Sequence, residues 1–252
     1  MTFSCVIFFI HLRVALLLGF AVAAVGFLLI APPITQDPGY HSFADHRSLW
    51  GVPNFWNVVS NLPFLLVAFY GLHALRSSAA FSATWERGAY CALLAGVALV
   101  AFGSAYYHAW PDNTTLVWDR LPMAVVFMAL LATAIGERIS MTIRRLMLVP
   151  LILLGVASVL YWRATGDLRP YIVVQFYPMV AIPLMLFLSR YTGSAAIGAM
   201  IGLYALAKLL ELFDSQIGAE LATGGHPGKH LAGAGAMFCY VQMVRRRRIL
   251  KY

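Results

Sequence analysis

The chain has 252 residues, of which 61% are hydrophobic and 11% charged, with a mean hydropathy of +0.78 and a formal net charge of +8. This composition excludes a soluble domain, because too little polar surface exists to cover a core. It implies a polytopic membrane protein, and the excess of Lys and Arg reads as anchoring beside anionic lipid, not as a nucleic-acid surface.

Apolar runs able to cross roughly 30 Å of hydrocarbon fall at about 12–33, 54–76, 87–108, 115–136, 143–162, 170–189, 193–213 and 227–244. Runs of this length without strict alternation exclude strands, so the expected fold is an all-α bundle. Short connections make successive helices antiparallel neighbours. The first run follows Arg13 and so also suits a leader peptide. Its length, and its end at Ala31-Pro32-Pro33 without a small-x-small cleavage pattern, favour a retained helix. Lys and Arg concentrate at one set of helix ends, including Arg76, Arg87, Arg138, Arg144, Arg145, Arg190 and Arg245 to Arg248, which puts both termini in the cytoplasm. Cys5, Cys91 and Cys239 lie in apolar runs without CxxC spacing and read as packing residues.

Three polar clusters interrupt the apolar pattern. The third helix runs outward and carries Ser104 and His108, four residues apart and therefore on one face. Pro111-Asp112-Asn113 makes a turn, and the returning helix places Asp119 in its first turns. The last helix opens with Gly225-His226-Pro227-Gly228-Lys229-His230, with Pro227 suited to a first helical position, so His226 and His230 share a face near the same end. A single intramembrane His is ordinarily a packing residue, and one HxxxH pair is weak. Convergence of three clusters on one depth favours function, since polar groups in lipid are costly.

Three imidazoles beside a carboxylate suit a catalytic zinc, which commonly takes three protein ligands and keeps one position open. His108, His226 and His230 are the expected ligands. Asp119 is placed to accept and return a proton, and Ser104 to donate a hydrogen bond to a developing oxyanion. Lys208 and Glu211 read first as an intramembrane ion pair and Lys229 as a snorkelling cation, with contact to a substrate head group the lesser reading of both; Trp56, Asn57, Ser60 and Asn61 read as interfacial or helix-contact residues, with support of the site second.

The stretches His41-Ser42-Phe43-Ala44-Asp45, Gly51-Val52-Pro53-Asn54-Phe55-Trp56-Asn57-Val58-Val59-Ser60-Asn61-Leu62-Pro63-Phe64, Gly103 through Met123, and Gly225-His226 to Ala232 resemble the alkaline ceramidase family, its bacterial branch in particular. The resemblance runs from about residue 41 to the end. It implies a seven-helix core over 41–252, with residues 1–40 adding an N-terminal helix and an outer loop. It also implies that Ser104, His108, Asp119, His226 and His230 are the family's Ser, Asp and three His. The implied reaction is zinc-dependent hydrolysis of an N-acyl sphingoid or related lipid reached from the bilayer. The implied location is the bacterial inner membrane, with the site near the outer face. Eukaryotic members bind calcium through an acidic loop. Here the segment before Trp56 offers Asp45 as its carboxylate, with Asn54 nearby, so no tight calcium site is expected. A receptor-like protein with a structural metal is the alternative. A solute transporter ranks third, because no paired broken helices or inverted repeat is visible.

Overall fold

The computed structural model describes residues 3–76, 81, 84–186 and 192–248. Among these the regular elements are helices: α1 (Phe3–Ile30), α2 (Phe55–Val59), α3 (Leu62–Ala74), α4 (Thr84–Ala109), α5 (Leu116–Arg138), α6 (Met141–Thr165), α7 (Arg169–Leu184), α8 (Ser194–Leu212), α9 (Asp214–Glu220) and α10 (His226–Arg246). Five segments are long and apolar enough to cross a membrane by length and composition: Phe55–Ala74, Glu86–Ala109, Leu116–Arg138, Arg145–Thr165 and Ser194–Leu212. Such a chain is a multi-pass membrane protein.

Each apolar run contains a helix, with two differences from expectation. The first helix starts at Phe3 and passes through His11 and Arg13, because two polar residues in an apolar run leave the internal backbone bonds intact. The second run is split at Ser60-Asn61. The Asn61 amide donates to the Asn57 carbonyl at 2.8 Å, and Pro63 supplies no N–H. A short helix, α9, follows α8 in the segment between the last two apolar runs.

Helix α5 is the axis. It packs against α4, α6 and α7, while α10 lies along α8 and α3, and α1 lies against α7. The most apolar window of α5 is 72% buried and that of α8 is 17%, so α8 is an edge element facing the surroundings. The axis forms because small residues admit close backbone approach on both sides. A Cβ at Gly103 would stand 2.0 Å from the Trp118 carbonyl oxygen of α5, and one at Gly155 of α6 would stand 3.0 Å from that of Ala124. Close contact at Gly103 brings Ser104 alongside Asp119.

Helix α1 is tied on by charge at the α6–α7 turn. Asp167 accepts from the Ile34 N–H at 3.2 Å, and Arg169 donates to the Leu28 carbonyl at 3.1 Å and also to that of Ala31. Arg169 grips Asp167 and holds its carboxyl down at about 2, so this tie is complete above the ordinary carboxylate range and is lost only as pH falls through that value.

Gly103→Ala forces α4 away from α5. The expected outcome is a loss of about 2 kcal/mol or more, seen as a lower unfolding temperature in detergent. An unchanged transition would contradict this packing.

Candidate metal centre and adjoining cavity

His108 and Ser104 stand one turn apart at the end of α4, and Asp119 lies in the first turn of α5. His226 and His230 stand one turn apart at the start of α10. The structure brings all five together. The three imidazole ring centres are 4.7, 4.8 and 5.0 Å apart, and one nitrogen from each ring lies within 4.8 Å of the other two. All three rings are buried. The Ser104 hydroxyl lies against the Asp119 carboxylate, and Ser104, Asp119 and His230 line one cavity.

The start of α10 is set by a carboxylate. Buried Asp214 accepts from the His226 N–H at 2.8 Å and from the Ala44 N–H at 2.9 Å, joining the helix start to the loop before α2. Gly224, at φ +69°, permits this, since a Cβ there would stand 2.3 Å from Asp214 Oδ1. The same loop carries Phe43, whose ring packs 4.6 Å from those of both His108 and His226. His41 pins the loop from the other side, meeting the Tyr107 hydroxyl at 3.0 Å and Asn113 at 3.1 Å. Asn54 donates to the His108 carbonyl at 2.8 Å. Asp45 accepts from the N–H groups of Trp56 and Arg47.

His230 is oriented by Ser60. The Ser60 hydroxyl lies 3.2 Å from the Asn57 carbonyl and 2.8 Å from His230 Nδ1. A hydroxyl donating to the carbonyl accepts from Nδ1–H, which fixes the tautomer and frees the Nε2 lone pair. His230 Nε2 and both nitrogens of His108 are buried without a protein partner. Buried polar atoms are almost always satisfied, and leaving one unsatisfied costs about 1–3 kcal/mol. Neutral imidazoles converging with free lone pairs are a donor set that can hold a metal ion.

The cavity beside the triad measures about 220 Å³. Its wall divides in two. Tyr40, Ser104, Asp119, Glu211 and Lys229 form a polar end, and Val97, Val100, Val126, Leu130 and Met237 form an apolar shaft along α4, α5 and α10. Helices α7 and α8 supply the remaining side, linked across it by a 3.0 Å bond from Gln175 to the Tyr204 hydroxyl.

A family model described as Ceramidase matches residues 45–210. The chain belongs to the ceramidase family. The matched span includes Ser104, His108 and Asp119 and ends before His226 and His230. Comparison with curated proteins and with solved structures gives no match.

Several residues of this family member's site carried a different expectation from sequence. Lys229 does not snorkel: its ammonium bonds to Glu211 at 2.5 Å and stands 3.3 Å from His226 Nε2. Asp214 gave no signal beyond residue type, and His41 and Phe43 stood out within a stretch resembling the family without a role, because their roles depend on a loop folding back over the helix ends. Ser60 was visible as one of four polar residues at a helix start, without its partner.

Ser60→Ala frees the His230 ring to rotate. The expected result is a roughly tenfold to hundredfold loss of metal affinity, measured by chelator competition on detergent-purified protein; equal affinities would show that Ser60 does not orient the ligand.

Proposed function

We propose that the protein is a membrane-embedded, zinc-dependent amide hydrolase that cleaves ceramide or a related N-acyl lipid into a fatty acid and a long-chain amine. The observation that carries this reading is the trio of buried, converging imidazoles, with both His108 nitrogens and His230 Nε2 lacking a protein partner, set against Asp119 and Ser104 at the polar end of an apolar cavity. Membership of the ceramidase family supports it.

His108, His226 and His230 would hold the zinc, which when bound supplies Lewis acidity to the amide carbonyl and an acidified water. Asp119 takes the proton of the attacking water and returns it to the amide nitrogen as the C–N bond breaks, so the products are a carboxylate and an amine. Ser104, one helical turn from His108, donates its single O–H to the Asp119 carboxylate at rest and turns it to the carbonyl oxygen as charge develops. The shaft below Asp119 takes the acyl chain. From Asp119 to Leu130 it spans eleven residues of α5, or roughly 16 Å at 1.5 Å per residue.

The lipid reaches the cavity sideways, between α7 and the edge helix α8. We assign residues 41–252 to a seven-span core and residues 1–40 to an added helix and loop. Both termini are cytoplasmic in this reading, in a bacterial inner membrane, with the metal centre near the outer face.

Asp119→Asn keeps the shape and removes the base. Fatty-acid release from a ceramide panel should fall by a factor of about 10² or more while bound metal is retained, and wild-type rates in this variant would sink the proton-transfer role. Activity should also decline on acidification, because imidazoles bind metal only when neutral and protonation releases it; a pH–rate profile with an acid optimum would contradict the metal mechanism.

A further inference from the structure

The polar end of the cavity contains more cations than the reaction needs. Lys208, Lys229 and Arg120 line it together with Asp119 and Glu211, three positive side chains against two carboxylates. Glu211 serves as the shared partner of both lysines. It accepts from Lys229 at 2.5 Å, from Lys208, and from the Tyr40 hydroxyl at 3.2 Å. Its oxygens are therefore occupied, whereas each ammonium has three N–H donors. The Lys208 side chain is 34% exposed, so it is the cation that retains donors toward the opening. Arg120 is fixed elsewhere: its guanidinium stacks 4.1 Å from the Trp162 ring and 4.9 Å from Tyr171, and donates to Gln36 at 2.6 Å.

A net positive charge in a low-dielectric cavity is costly unless an anion completes it. The apolar shaft is unsuited to that anion. Lys208 and Glu211 stand near the C-terminal end of α8, at the polar end of the cavity and away from Leu130 and Met237. An amide whose acyl chain fills the shaft and whose carbonyl meets Ser104 therefore projects its head group toward Lys208.

We infer that the cavity selects N-acyl lipids whose head group carries an acidic function, a phosphate, sulfonate or carboxylate, bound by Lys208 and Lys229. This rests on the cavity being a lipid-amide site, as proposed above. Charge-assisted N–H···O bonds are about twice as strong as neutral ones, and Lys binds such groups as a point charge.

The test pairs two amides of identical chain, N-dodecanoyltaurine with a sulfonate head and N-dodecanoylethanolamine with a neutral one. Dodecanoate serves as a third ligand. Binding to the full-length, detergent-purified protein is measured by competition in native mass spectrometry, alongside release of dodecanoate. The sulfonate amide should bind about tenfold more tightly than the neutral one, and this preference should survive in Lys208→Arg and collapse in Lys208→Met. Equal binding of the two amides by the wild-type protein, which needs no variant to fold, would overturn the inference. So would dodecanoate matching the sulfonate amide and losing as much in Lys208→Met, since the lysines would then hold the product carboxylate. A charge preference in binding with no release from either amide would support the head-group subsite and remove the hydrolase reading instead.

Discussion

Burying three imidazoles side by side, with both His108 nitrogens and His230 Nε2 unpartnered, is unfavourable in any protein interior. The surrounding fold is organised around that constraint. Asp214 fixes the start of α10, Ser60 fixes the His230 tautomer, and Phe43 closes against two of the rings. These contacts hold the rings together and leave both His108 nitrogens and His230 Nε2 without a protein partner, an arrangement that a metal ion would relieve.

The second organising feature is the close approach of α4 and α5. With a hydrogen at Gly103, the Trp118 carbonyl passes where a side chain would otherwise stand, and Ser104 and Asp119 meet as a result. Ser104 and Asp119 and the three imidazoles thus belong to one packing solution, in which the α4 face bearing Ser104 and His108 is turned toward both α5 and α10. Below them the shaft is apolar and above them the wall is charged, which divides the cavity as an amphiphile is divided.

Much of this is legible in the sequence because membrane helices are written in long apolar runs, against which any polar residue stands out. Ser104, His108, Asp119, His226 and His230 were visible for that reason, and i, i+4 spacing was enough to give each pair a common face. The break at Ser60-Asn61 was not, because a local side-chain bond interrupts an apolar run that reads as continuous, and the Glu211–Lys229 pair was not, because it joins two separate helices. Asp214 is the clearest case: one carboxylate among several acids, it becomes structural only when Ala44 and His226 arrive on its two oxygens.

The most direct test of the metal centre is zinc X-ray absorption on wild-type protein purified without added metal. One zinc per chain, with three imidazole nitrogens at about 2.0–2.1 Å and one further oxygen, is the coordination expected of an open catalytic site built from His108, His226 and His230. Absence of zinc, or a shell containing thiolate sulfur or a fourth imidazole, would contradict it.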